Sequence, residues 1–180
     1  MAYRARPPVA MAHPAQWLAV VRIVVGLYFA KAVVTKLTIM LVGGVLPMPV
    51  VQDRWIHVMP TIIEKQAAGN PVAFYKDFLE HTVLTHATLF AHLTAWGEVV
   101  AGIGLTLGLL TGIASLVGFV LVVNYGLATQ WMTPNQQGFH LVLVTLMIIF
   151  FFVRAGRTWG LDAWIASNHP KSPLVRRPFS

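Results

Sequence analysis

A carboxylate inside one apolar run and two amines inside another are the side chains in this sequence best placed to do chemistry. Glu98 lies in HLTAWGEVVAGIGLTLGLL, residues 92–110, with no opposite charge near it in the chain. A buried acid needs a cationic partner or a proton, and an ionisable group inside a membrane is a natural proton relay. On a helical wheel the face of Glu98 carries Ala91, Thr94, Ala95, Ala101, Gly102 and Leu105, flanked by Gly97, Gly104 and Gly108. Small residues let a second helix come close, so this face is expected to turn into a bundle rather than toward lipid.

The first apolar run offers three cations. Arg22 and Lys36 share one face and Lys31 lies on the opposite one. With both tails cytoplasmic, a rise of 1.5 Å per residue puts Glu98 about 18 Å above the cytoplasmic end of its span, Lys31 about 21 Å along the first, Lys36 about 28 Å and Arg22 about 8 Å. Side chains lean toward their own helix N-terminus, so the lysines lean inward, Glu98 leans outward, and Arg22 leans toward the cytoplasmic headgroups. Lys36 and Lys31 are thus expected to reach Glu98, giving a candidate catalytic set of Glu98, Lys36 and Lys31. The same residues also fit a buried pair that only fixes helix register.

His92 and His140 are expected a few residues inside the outer interface on the second and fourth spans, where imidazoles suit haem, a metal or a quinone carbonyl, or a plain backbone hydrogen bond. His92 points about 120° away from Glu98 on the wheel. His81 and His92 share a face but lie about 16 Å apart along it, too far for one metal, and no metal site is expected. Asn124, near Thr129, fits a packing hydrogen bond or a ligand contact. Trp17, Trp131, Trp159 and Trp164 suit the interfacial belts.

The elements that must position these groups follow from composition. Of 180 residues, 57% are hydrophobic and 11% charged, and the mean hydropathy is +0.68, which excludes an ordinary soluble domain. The net charge of +7 sits largely in the tails, without a basic stripe and interleaved aromatics, so no nucleic-acid partner is expected. The chain has no cysteine, which excludes disulfides, iron–sulfur clusters and covalent haem attachment. Four runs approach the roughly 20 helical residues that cross a bilayer: near 17–41, 87–110, 112–131 and 138–155. Arg22 interrupts the first run and no convincing cleavage site follows it, so it reads as a retained span. Arg4 and Arg6 precede the spans, and Arg154, Arg157, Lys171, Arg176 and Arg177 follow them, which predicts that both termini are cytoplasmic.

The expected architecture is therefore an all-α, four-transmembrane-helix bundle forming a single domain over 1–180, with a long, partly helical outer loop over 42–86. In that loop Trp55, Met59, Ile62 and Ile63 recur at helical spacing, as in an amphipathic anchor on the outer membrane surface or a lid. Gly69 reads as a helix stop, Asn70 as an N-cap and Pro71 as the first residue of the next helix, which should lead into the second span. Near the end, Asp162 is expected to accept from Arg154 or Arg157, or to cap a short interfacial helix ending near Asn168. The tail, residues 167–180, reads as solvated chain or a docking strap for a partner.

Taken in order, VRIVVGLYFAKAVVTKL, NPVAFYKDFLEH, AWGEVVAGIGLTLGLLTGIASLVG, VNYGLATQW and RAGRTWGLDAWI resemble the DoxX/DoxD membrane proteins over roughly residues 17–166. The resemblance implies a four-helix bundle whose first-helix arginine and lysine map to Arg22 and Lys36. Its second-helix glutamate maps to Glu98 and its C-terminal motif to Gly156–Asp162. Some DoxD proteins are the membrane subunit of a thiosulfate:quinone oxidoreductase, so the implied function is a quinone-linked oxidoreductase subunit in the inner, cytoplasmic membrane of a prokaryote. Quinone is then the possible cofactor, and the partners are the lipid bilayer and other membrane subunits. The alternative is a non-catalytic accessory subunit packed against a larger respiratory or photosynthetic complex. A small-solute carrier fits less well, because short-looped spans without inverted repeats give little basis for alternating access.

Overall fold

Among the described residues four helices are long and apolar enough to cross a membrane, as the hydropathy predicts. The computed structural model describes residues 13–180; the expected flanking arginines Arg4 and Arg6 lie outside the described residues. The first span is α1, Pro14–Ala30, continued past Lys31 by the short α2, Ala32–Thr35. The others are α5, Ala87–Leu107, α6, Thr111–Thr129, and α7, Pro134–Val153. Proline opens both α1 and α7, where its missing N–H is not needed. The helices pack in the order α1, α5, α6, α7, around Phe29, Leu105, Val122, Met147 and Phe150.

Glycine sets the two tightest joints. Gly26 lies against Thr106, and Gly102 against the backbone of Phe29 and Ala30, so α1 and α5 touch backbone to backbone. Gly102→Val would drive methyl groups into that contact; it is expected to cost about 1–3 kcal/mol, read as a lower thermal midpoint in detergent. The α5–α6 turn requires left-handed backbone, with Gly108 at φ 62° and Leu110 at φ 48°.

The long connection between the first two spans departs from the sequence reading in two respects. The first span stops at Thr35 rather than near residue 41, and the chain turns into a hairpin: β1, Leu37–Val42, pairs antiparallel with β2, Leu46–Val51. An apolar run too short for its own helix is equally a strand, and Gly43 and Gly44, both at positive φ, supply the reversal. The amphipathic stripe does form a helix, α3, Asp53–Ala68, with Gly69 as its C-cap. Asn70 then makes a turn rather than a helix start. Its Oδ1 accepts from Val72 N at 3.0 Å and its Nδ2 donates to Leu127 O at 3.0 Å, so α4, Ala73–Phe78, begins two residues beyond Pro71. A π-helical turn, Leu79–Val83, and a short break lead into α5.

After α7 come a 3-10 turn, Ala155–Arg157, and α8, Leu161–Asn168. The tail is not free: Gly112 N donates to Phe179 O at 3.0 Å, Arg177 Nη2 to Phe152 O at 2.8 Å, and Arg157 Nη2 to Val175 O. The tail is thus tied to the bundle rather than left as solvated chain, because these arginines find carbonyls left over at helix and turn ends.

Candidate functional site

The base of the hairpin fixes Lys36. Its carbonyl accepts from Gln52 N at 2.8 Å, and the Gln52 side chain donates to Leu37 O, so Lys36 is pinned where α2 ends. From there its Nζ reaches Glu98 Oε2 at 2.7 Å. The other carboxylate oxygen, Oε1, accepts from Tyr125 Oη at 2.7 Å. Glu98 is 8% exposed, facing the bundle through the small-residue side of α5, and both its oxygens are satisfied as burial requires. Trp55 of α3 completes the group: Lys36 Nζ lies 3.9 Å from its ring centroid, while Trp55 Nε1 donates to Ala91 O at 3.0 Å. One amine therefore ties the outer helix to the buried acid.

These residues form one wall of a cavity of about 540 Å³ enclosed by α3, α4, the π-helical turn, α5 and α6. Most of its lining is apolar, with Met59, Ile63, Phe78, Phe90 and Leu121 as examples. A second polar point is Asn124, whose backbone O and Oδ1 accept from Tyr75 Oη at 3.0 and 3.2 Å, while its Nδ2 donates to Val120 O at 2.7 Å. Burial pushes the Tyr75 hydroxyl up to about 12, so it stays a donor at any physiological pH. Three lining residues, Leu93, Leu116 and Val120, are also exposed on the outer surface of α5 and α6, so the cavity opens sideways between two membrane-spanning helices. An apolar volume of this size with a few convergent polar groups is the usual form of a small-molecule site.

The residues singled out from the sequence are placed unequally. Glu98, Lys36 and Asn124 line the cavity. Lys31 does not reach Glu98: it is exposed on the far side of α1, with its Nζ 4.0 Å from the Tyr28 ring centroid. The first span needs a single amine for the acid, and Lys36, on the face shared with Arg22, takes that position. His92 is half-buried and its Nδ1 donates to Thr88 O at 2.8 Å. His140 is buried, donating from Nδ1 to Gln136 O at 2.7 Å. Neither histidine lines the cavity. Among the described residues no group of three or more His, Asp or Glu is disposed to hold a metal ion. The stripe of α3 faces the cavity, because Trp55, Met59, Ile62 and Ile63 all line it. Tyr125 and Tyr75 were not singled out. The available signal was a phenol inside an apolar run, which must find a partner when buried.

Arg22 and Asp162 form a second buried polar group, at the opposite end of the bundle. Arg22 is 0% exposed: it leans away from Glu98, as expected, and is buried under the chain that follows α7. Its Nη1 donates to Ala155 O at 2.8 Å and Thr158 O at 3.2 Å, and its Nη2 to Trp159 O at 3.1 Å. Asp162 accepts neither Arg154 nor Arg157. Its two oxygens accept from Leu110 N at 2.8 Å and Thr111 N at 2.9 Å, so it caps α6 instead of α8, where a carboxylate complements the helix dipole. This group clamps the end of α7 onto α1 and the α5–α6 turn.

Comparison with known proteins accords with this layout. No curated protein and no solved structure matches the chain. A family model described as "TQO small subunit DoxD" matches residues 17–174, which takes in the four spans, the cavity and the Arg22 clamp. The chain belongs to the DoxD family.

Proposed function

We propose that this chain is the membrane subunit of a thiosulfate:quinone oxidoreductase and that the quinone head group is held in the cavity beside Glu98, Lys36 and Tyr125. The observation that carries this reading is the combination of an apolar cavity open sideways between α5 and α6 with a hydrogen-bonded acid, amine and phenol on its inner wall. A ligand dissolved in the bilayer can enter such a site without crossing water. When bound, the quinone supplies the electron-accepting chemistry. The chain's residues supply the rest: Lys36 and Tyr125 are donors suited to a carbonyl oxygen, and Glu98, joined to both, can take up and release a proton. The apolar lining excludes water from that exchange. With no thiol in the chain, no sulfur intermediate can be held here as a persulfide, and we assign the handling of thiosulfate to partner subunits. The cluster of Arg154, Arg157, Lys171, Arg176 and Arg177 at the end opposite the hairpin supports cytoplasmic termini, with the cavity toward the outer side of a prokaryotic inner membrane.

The test uses the complex purified with its native partners and a quinone bearing a ten-carbon tail. Thiosulfate-dependent quinone reduction is expected, and Val120→Trp at the mouth is expected to raise the KM for quinone about tenfold while leaving that for thiosulfate unchanged. Absence of quinone reduction, or a Val120→Trp enzyme with unaltered quinone kinetics, would overturn the reading.

A further inference from the structure

Glu98 sits where a polar part of the bundle meets an apolar one. Toward the hairpin its partner is immediate: Lys36 Nζ stands 2.7 Å away, and the two side chains are 13% and 11% exposed. The cavity they line continues past Tyr75 and Asn124 to Gln66 of α3, which is half-buried and lies beside the exposed Glu64 and Lys65. Polar groups therefore run from the acid to the face of the molecule that carries α3 and the hairpin.

The opposite direction, toward the Arg22 clamp, is closed. Phe29, Ala101, Leu105, Met147 and Phe150 pack on that side of Glu98 in one apolar cluster, none more than 2% exposed. Counted from the α5–α6 turn, the first hydroxyls in that direction, Ser115 and Thr106, lie about 7 and 12 Å from Glu98 along the helix axes. Ser115 Oγ donates to Thr111 O at 2.7 Å, and Thr106 Oγ1 has no hydrogen-bond partner among the described residues. A proton passes between groups about 2.6–3.2 Å apart or through one bridging water, and this gap exceeds that reach.

From this one-sided layout we infer that the protons completing quinone reduction enter only from the hairpin face, relayed by Lys36 to Glu98. The inference rests on the quinone reading above and adds the side from which the site is supplied. Thiosulfate, handled by partner subunits, provides two electrons. For each of two protons, a Lys36 N–H bond breaks and a Glu98 O–H bond forms; the carboxyl then hands the proton to a quinone oxygen, and the neutral amine recovers one from water on the hairpin face. Quinone, two electrons and two protons give quinol, and the ion pair returns to its starting charge.

The test uses the complex with its native partners in sealed membrane vesicles, prepared in both orientations and kept under argon. Because the chain has no cysteine, Glu64→Cys on the exposed side of α3 reports orientation through labelling of this chain by a membrane-impermeant maleimide. Thiosulfate is present on both sides, and a quinone bearing a ten-carbon tail starts the reaction in weakly buffered medium. Joining two thiosulfate dianions through a sulfur–sulfur bond releases two electrons and no proton, so the pH reports the quinone alone. Where α3 faces the medium, two protons should leave the medium per quinone reduced, with or without a protonophore. Where α3 faces the lumen, the medium should change only once a protonophore is added. The reverse pattern would overturn the inference and leave the quinone reading standing, whereas no quinone reduction in either preparation would sink both. Lys36→Arg supplies the second measurement. It keeps a cation beside Glu98 and Trp55, but a guanidinium does not give up its proton, so kcat should fall at least about tenfold with the KM for quinone unchanged. Normal turnover in Lys36→Arg would remove Lys36 from the route.

Discussion

Lys36→Met is expected to destabilise the protein by about 3–5 kcal/mol, the cost of leaving one member of a buried ion pair without its partner. Methionine keeps the length of the stem but removes the 2.7 Å contact to Glu98 Oε2 and the cation over Trp55. Glu98 then retains a single neutral donor, Tyr125. Adding Glu98→Gln removes the second charge, and the double variant should recover most of the lost stability, because a neutral pair of similar volume often replaces a buried salt bridge at little cost. Activity should not follow stability. If Glu98 carries a proton during quinone reduction, Glu98→Gln lowers kcat by about 100-fold or more, alone or in the double variant. Thermal unfolding in detergent, followed by tryptophan fluorescence, reads the first effect; thiosulfate-dependent quinone reduction reads the second. A Glu98→Gln enzyme with normal turnover would reduce the pair to a structural strut.

Arg22→Met is expected to destabilise by about 3 kcal/mol or more, since each buried carbonyl left without a donor costs about 1–3 kcal/mol. The guanidinium of Arg22 serves Ala155, Thr158 and Trp159 together, and no other side chain donates to these three carbonyls among the described residues. Arg22→Lys keeps the charge but lacks the planar fork that spans three acceptors, so it should recover only part of the loss. Lys31→Met is the comparison: an exposed side chain lying over Tyr28, whose removal should change stability by no more than about 0.5 kcal/mol. Midpoints for the three variants in one detergent decide the matter. Equal effects of Arg22→Met and Lys31→Met would mean that the clamp contributes nothing.

By itself the sequence determined the four spans and the direction in which Glu98 points. Hydropathy reports how much of a helix avoids water, and a stripe of Ala91, Ala95, Ala101 and Gly102 reports which face another backbone approaches. These are local properties with a helical period, so they survive in one dimension. Only the tertiary structure decided which amine Glu98 meets. Depth alone favours Lys31, at about 21 Å against about 28 Å for Lys36, and the choice rests instead on where α2 ends and on a hairpin base that pins Lys36 through Gln52. Residues 37–41 read as the end of the first span because an apolar run fits either a helix or a strand, and strand pairing is settled by a partner several residues away. For Arg22, single-helix geometry shows which way the side chain leans but not that a later loop folds over it. Tyr125, Tyr75 and the inward turn of α3 share that limit: the cavity they build lies between elements, and packing of distant segments creates it.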